Sequence, residues 1–388
     1  MNKKSFDLLL ISALTFVSPV AWAHLTADQV NTLLKQAEVG DSAAFARIRH
    51  DAEQGGAYAQ AGMGILYDHG KGVPQDYAKA AQWYRKAAEQ GDSMAEYNLG
   101  LDYHGGQGVP QDYAQSARWT RKAAEQRMAA AQYDLGQLYY TGQGVPQDYA
   151  QAAKWYRKAA EQGFTDAQYN LGQLYYTGQG VPQDYAKAAQ WYRKAAAQGD
   201  AKAQINLGYA YDAGQGVPQD YAQAAKWYRK AAAQGDSEAQ NNLGGLYERG
   251  QGVPQDYAKA VQWYREAAAQ GVSGAQFNLG RLYANGQGVP QDYTQAAQWY
   301  RKAAAQGDAA AQDNLGYAYV RGQGVPQDYV EAYKWWALAK AGSGPTSEAY
   351  KQAKNNMRVV AIQMTSEQIA QAQAEASKWF EAHQKTPN

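Results

Sequence analysis

The chain has 388 residues, with 37 Lys and Arg against 36 Asp and Glu and no cysteine. A near-neutral chain has no global field to draw it onto nucleic acid or anionic lipid, so nucleic-acid partners are disfavoured. The missing cysteines exclude disulfide staples, thiolate metal sites and cysteine nucleophiles, which leaves stability to packing alone.

Residues 1–23 read as a secretory leader: Lys3 and Lys4 open it, Leu8 to Val20 form the apolar stretch, and Ala21-Trp22-Ala23 offers a small-x-small site with cleavage after Ala23. The apolar stretch is too short to cross about 30 Å of hydrocarbon as a helix, which favours cleavage over anchoring. The expectation is a periplasmic or secreted protein with no membrane association after processing. Removing the leader takes away Lys3, Lys4 and Asp7 and leaves 35 charges of each sign. Residues 24–56 follow as a helical cap, with helices expected around Val30 to Val39 and Ala43 to Glu53.

Residues 57–342 are a strict repeat. The string Gly-x-Gly-Val-Pro-Gln-Asp-Tyr recurs eight times, with its proline at 36-residue steps from Pro74 to Pro326. Around Pro146, Ala131, Leu135 and Leu138 fall on one helical face, and Gly142 sits where a left-handed helix stop belongs. Pro146 disfavours helix at Val145, and Asp148 is placed to cap the next helix. That helix carries an apolar stripe of Tyr149, Ala152, Ala153, Tyr156, Ala159 and Ala160, and Gly163 ends it. Each repeat also has a glycine inside its first helix, from Gly64 to Gly316, where glycine costs about 1 kcal/mol relative to alanine. A neighbouring group must approach the backbone there, and the tryptophans, Trp83 through Trp335, are the expected partners. One hairpin cannot bury both faces, so the fold class is all-α: a right-handed α/α superhelical solenoid of eight helix-turn-helix repeats with helical caps. Residues 343–388 form the C-terminal cap, with helices expected over Ser347 to Val360 and Ser366 to His383, the second capped by Thr365 or Ser366.

A 36-residue hairpin with Leu-Gly-x-Leu-Tyr, Gly-x-Gly-Val, Asp-Tyr-x-x-Ala and Trp-Tyr-x-x-Ala-Ala-x-Gln-Gly resembles the Sel-one-like repeat, a relative of the tetratricopeptide repeat. Three departures fall in or beside the second repeat: Thr120 for the second aromatic, Asp102 for the second leucine and Arg127 for the terminal glycine. That repeat is expected to be locally looser. The resemblance implies a superhelix whose first helices line the concave face, and an adaptor or partner-binding role.

Comparison between repeats separates frame from surface. In the first helices the varying positions are Tyr97, Leu101, His104 and Gly105, with Tyr133, Gln137, Tyr140 and Thr141, then Tyr169, Gln173, Tyr176 and Thr177, as their successors. Later repeats contribute Tyr209, Glu248, Arg249, Phe277, Arg281, Tyr317 and Arg321. Offsets of four, seven and eight place them on one helical face, and Tyr and Arg are side chains favoured at binding hot spots. A partner strip and drift on an unconstrained face both fit this pattern. Beside it, Asn98, Asn170, Asn206, Asn242, Asn278 and Asn314 recur, with Asp134 once. These either present amides to an extended peptide or bond within their own scaffold. The Lys154, Arg157 and Lys158 face of the second helices, balanced by acids, reads as solvated surface.

No constellation for catalysis emerges, and neither a cofactor nor a metal is called for. The five histidines form no His-Glu-x-x-His string, and His69 and His104 sit one residue out of register. The Gly-x-Gly precedes Val-Pro instead of opening a helix after a strand, so it is a turn and not a phosphate loop. A cysteine-rich branch of the resembled family carries an association with penicillin binding and β-lactamase activity, but Ser-x-x-Lys and Gly-x-Ser-x-Gly are both absent here. The reading is a non-enzymatic adaptor gripping a protein or extended peptide. The alternatives are a peptidoglycan or glycan module, where tyrosine faces stack on sugars, and a secreted factor acting on host proteins.

Overall fold

The computed structural model describes residues 24–384; the leader and its Ala23 site lie outside them. Every element among the described residues is α-helical. The chain divides into two compact units, Met1–Asp200 and Ala201–Asn388. The first holds cap helices Ala27–Glu38 and Ser42–Glu53 and repeats one to four. The second holds repeats five to eight and closing helices Glu348–Ala361 and Ser366–Gln384. Each unit is an α/α solenoid in which successive hairpins stack.

Repeat three shows how the sequence builds a hairpin. Its first helix runs Ala129–Thr141 and its second Tyr149–Glu161. Gly142 adopts φ 75° and donates its N–H to Leu138 O at 2.9 Å, closing the first helix. Asp148 turns its carboxylate back onto the N–H groups of Ala150 and Gln151 at 2.9 and 3.0 Å, the expected N-cap. The second glycine of the motif has a different task. A Cβ on Gly144 would lie 1.9 Å from the carbonyl oxygen of Tyr113, so the turn rests directly on the start of the preceding repeat's second helix. The caps of the ends follow the same rules. Ser347 caps the helix it precedes, and Thr365, not Ser366, accepts from Gln368 N while Gln368 Oε1 takes the Thr365 N–H.

Leu135, Leu138, Ala152, Ala153, Tyr156, Ala159 and Ala160 are all buried, as their helical spacing requires; Tyr149 is half-buried. The ring that approaches the helical glycine is not the tryptophan. A Cβ on Gly136 would come within 2.6 Å of the Tyr156 ring, and the same contact joins Gly64 to Tyr84, Gly172 to Tyr192, Gly208 to Tyr228, Gly244 to Tyr264 and Gly280 to Tyr300. Tyr156 shares the stripe of Ala152, Ala153, Ala159 and Ala160, which faces the first helix, whereas Trp155 is one position round and packs with Ala130 and Leu135. Only in repeat eight does a tryptophan take the place: Trp336 lies against Gly316.

A ladder of glutamines joins one hairpin to the next. Buried Gln132 donates to Ala124 O at 3.0 Å and accepts from Gln162 Nε2 at 2.8 Å; Gln168 and Gln276 repeat both contacts. These bonds add a second donor to carbonyls at helix ends that already accept from the backbone of the following turn, as Ala124 O does from Arg127 N–H.

Candidate partner-binding face

The variable positions of the first helices share one face, but they are not equally available. In the first unit, Tyr97 is only 6% exposed, and its hydroxyl donates to Asp134 of the next repeat at 2.8 Å. Burial raises its pKa further above the ordinary tyrosine value, with the Asp134 carboxylate adding to the effect. Asp134 is itself pushed up to about 6 by burial, against the pull of that hydrogen bond. Tyr97 therefore belongs to the seam between repeats and leaves the candidate surface, because the buried carboxylate of Asp134 needs a donor.

Repeats three and four carry a matched pair of arrays. Gln137 donates to Tyr133 OH at 2.8 Å and accepts from Tyr156 OH at 2.6 Å; Gln173 does the same with Tyr169 at 2.6 Å and Tyr192 at 2.9 Å. Tyr140 and Tyr176 stand edge-on to Tyr149 and Tyr185 at 5.2 and 5.3 Å. Tyr133, Tyr169 and Tyr176 are half-buried, and Tyr140 is 36% exposed. The result is an aromatic floor in which the hydroxyls of Tyr133 and Tyr169 are held by glutamines.

In the second unit the equivalent positions of the first helices carry a different chemistry. Tyr209 is its most open ring, at 47% exposure. Glu248 accepts from Tyr264 OH at 2.9 Å and pairs with half-buried Arg281 of the next repeat. Phe277 lies against Tyr300, with ring centroids 5.9 Å apart. Tyr317 is engaged by the C-terminal cap: its hydroxyl donates to Asn356 Oδ1 at 3.1 Å, and Asn356 donates to Asp313 at 2.9 Å.

The asparagines are half-buried, and the bonds formed by three of them run to the scaffold. Asn170 donates to Tyr133 OH and Asn278 to Asn241 Oδ1, both at 3.4 Å, and Asn314 donates to Ala310 O at 2.8 Å. Of the second-helix cations, Lys154 and Lys158 are exposed, as a solvated face requires, and Arg157 is half-buried. Lys158 lies 3.8 Å from the centroid of the Trp155 ring, and Arg157 donates to Tyr175 OH of the next repeat at 2.8 Å. The glutamine ladder and these Arg–Tyr links recur at fixed 36-residue spacing, which was the available signal for them. Among the described residues no group of three or more metal-ligating side chains gathers, and no helix is long and apolar enough to cross a membrane.

The Sel1 repeat family matches eight consecutive blocks, 57–92, 93–128, 129–164, 165–200, 201–236, 237–272, 273–308 and 309–343. The chain belongs to the Sel1 repeat family. A Sel1 repeat protein from Oxalobacter formigenes is similar at 33% identity, covering 89% of this chain and 98% of that one, with a TM-score of 0.62. A protective antigen present in uropathogenic Escherichia coli strains, c5321, is 35% identical over 91% of this chain and 94% of its own, with a TM-score of 0.47. No curated protein matches the chain. Sel1 repeat proteins are generally protein-interaction scaffolds and typically non-catalytic.

Proposed function

We propose that this protein is an exported, non-catalytic scaffold that holds an extended protein segment against the first-helix face of its repeats. One observation carries the reading. Within the first helices, frame residues such as Leu135 and Gly136 are buried and repeated, while Tyr140 and Tyr209 are exposed and Tyr176 is half-buried at positions that vary between repeats. Rigid aromatic side chains offer large contact area at small entropic cost, and Tyr140 and Tyr176 stand edge-on to Tyr149 and Tyr185. The leader features of residues 1–23 support export to the periplasm or beyond.

Tyr140, Tyr176 and Tyr209 replaced together by alanine test it. Binding to a partner identified by cross-linking in envelope extract should weaken at least about tenfold while the helical fold is retained, since none of the three rings is fully buried. Unchanged partner affinity would remove the first-helix face from the reading. Co-sedimentation of the same triple variant with purified peptidoglycan decides the glycan alternative. Hydrolysis of a chromogenic β-lactam by the wild type, lost on changing one polar side chain, would overturn the non-catalytic assignment.

A further inference from the structure

The tryptophans of the second helices carry a cationic lid. Lys158 lies over Trp155, Lys194 over Trp191 and Lys230 over Trp227, and the same pair recurs in repeats one, two and seven, with Nζ 3.8 to 4.4 Å from the ring centroid. Residues three apart on a helix are neighbours, and an indole face attracts an ammonium through its quadrupole. The lysines of repeats three, four, five and seven are exposed, so the seat they fill opens to solvent. In repeat eight Lys334 takes the part, 5.4 Å from the Trp335 ring.

Repeat six reverses the charge. Glu266 stands at the lysine position, and among the described residues no cation lies over Trp263. Trp263 is half-buried and packs against the cluster that holds Leu243 and Leu246, which fixes its ring. Exposed Glu266 accepts from Gln240 Nε2 at 3.0 Å through Oε2, while its Oε1 makes no hydrogen bond among the described residues. The cations of the same helix are engaged elsewhere. Lys259 pairs with Asp256 at 3.1 Å, and Arg265 donates to Tyr283 OH at 3.0 Å. Repeat six therefore keeps the ring, adds a carboxylate and supplies no ammonium of its own.

We propose that Trp263 and Glu266 form a seat for the ammonium of a lysine side chain on a partner polypeptide. The ammonium lies over the indole, as the protein's own lysines do on the other rings, and pairs with the Glu266 carboxylate. The seat is on the second helix Tyr257–Ala269 and stands whether or not a segment lies on the first-helix face.

The probe is Nα-acetyl-lysine methylamide, titrated at low ionic strength into the isotope-labelled full chain and followed by the indole N–H signals. The Trp263 signal, assigned from Trp263→Phe, should shift to saturation, while that of Trp227, already covered by Lys230, should stay in place. The Nε-acetylated probe, which has lost the charge, should bind at least about fivefold more weakly. Glu266→Gln, whose amide oxygen can keep the bond to Gln240, should weaken the lysine probe about two- to fivefold. Glu266→Lys, which installs the lid of the other repeats, should abolish the shift. A silent Trp263 signal, equal binding of the acetylated probe, or a response unchanged in Glu266→Lys would each overturn the seat.

Discussion

Repeats two and three occupy the same unit, adjoin in sequence and carry the same turn string, yet their interiors follow different chemistry. Repeat three buries Gln132, Leu138, Ala152 and Tyr156; at the same places repeat two buries Glu96, Asp102, Ser116 and Thr120. The hairpins match all the same, Ser93–Gly105 with Tyr113–Glu125 against Ala129–Thr141 with Tyr149–Glu161. Both second helices are N-capped by the aspartate of the turn, and both first helices end on a left-handed glycine. Helix boundaries are thus set by local chemistry at the turns, while the contents of the seam can change without moving them. What changes is the energy stored there, and polar groups brought into a packed seam lower it unless they are satisfied.

The largest expected effect comes from imposing repeat two's deficit on repeat three. Tyr156→Ala removes a buried ring and the hydroxyl that holds Gln137. A cost of about 3–5 kcal/mol is expected, read as a lower urea midpoint. The same truncation at Thr120 should cost far less, since no ring is lost. Equal costs would show that the two seams are equivalent after all.

Glu96→Gln sharpens the contrast through pH. Burial pushes the Glu96 carboxyl up to about 7 from the usual 4.5, partly offset by the hydrogen bond from Gln126 Nε2 at 2.8 Å. An acid whose folded-state pKa is raised binds its proton more tightly when folded. Its contribution is therefore full below about 4.5 and is lost as pH rises through about 7. Wild-type stability should fall across that window, and Glu96→Gln, which installs the amide of the other repeats, should be flatter and more stable at pH 8 by on the order of 1–2 kcal/mol. Denaturant melts of both proteins at pH 5 and pH 8 check it, and parallel pH profiles would refute it.

Much of this was legible in the sequence, and what was legible was local. Asp148 and Gly142 announce their caps because the groups they bond lie within six residues. The partner of the helical glycine depends instead on the rotation of one helix against another. Trp155 and Tyr156 differ there by a single position, so size alone pointed to the wrong ring. The variable strip shows the same limit. Tyr97 and Tyr317 share the spacing of the exposed rings, but Asp134 and Asn356, which engage them, sit 37 and 39 residues further on. Burial of Glu96 and Ser116 could be read from register with Gln132 and Ala152, whereas the absence of partners for Ser116 could not.

The smallest effect lies where repeat two hands over to repeat three. Arg127 has φ 69° and is the only non-glycine among the described residues with positive φ; Gly91 and Gly163 hold the equivalent turns at 87° and 91°. A left-handed conformation costs a side-chain-bearing residue about 1–2 kcal/mol, and Arg127 is exposed, with little packing to offset it. Arg127→Gly removes that strain but gives the unfolded chain more freedom, worth about 0.4–1 kcal/mol in the opposite sense. The net should be a gain of about 0.5 kcal/mol, a rise of roughly 1–2 °C in the unfolding midpoint for a unit of this size. The reverse change, Gly163→Arg, should lower the midpoint by a similar amount, since it imports the same strain into a repeat whose turn is otherwise relaxed. If Arg127→Gly destabilises instead, the arginine side chain is holding the seam, and the tolerance of repeat two would then come from that contact and not from the caps.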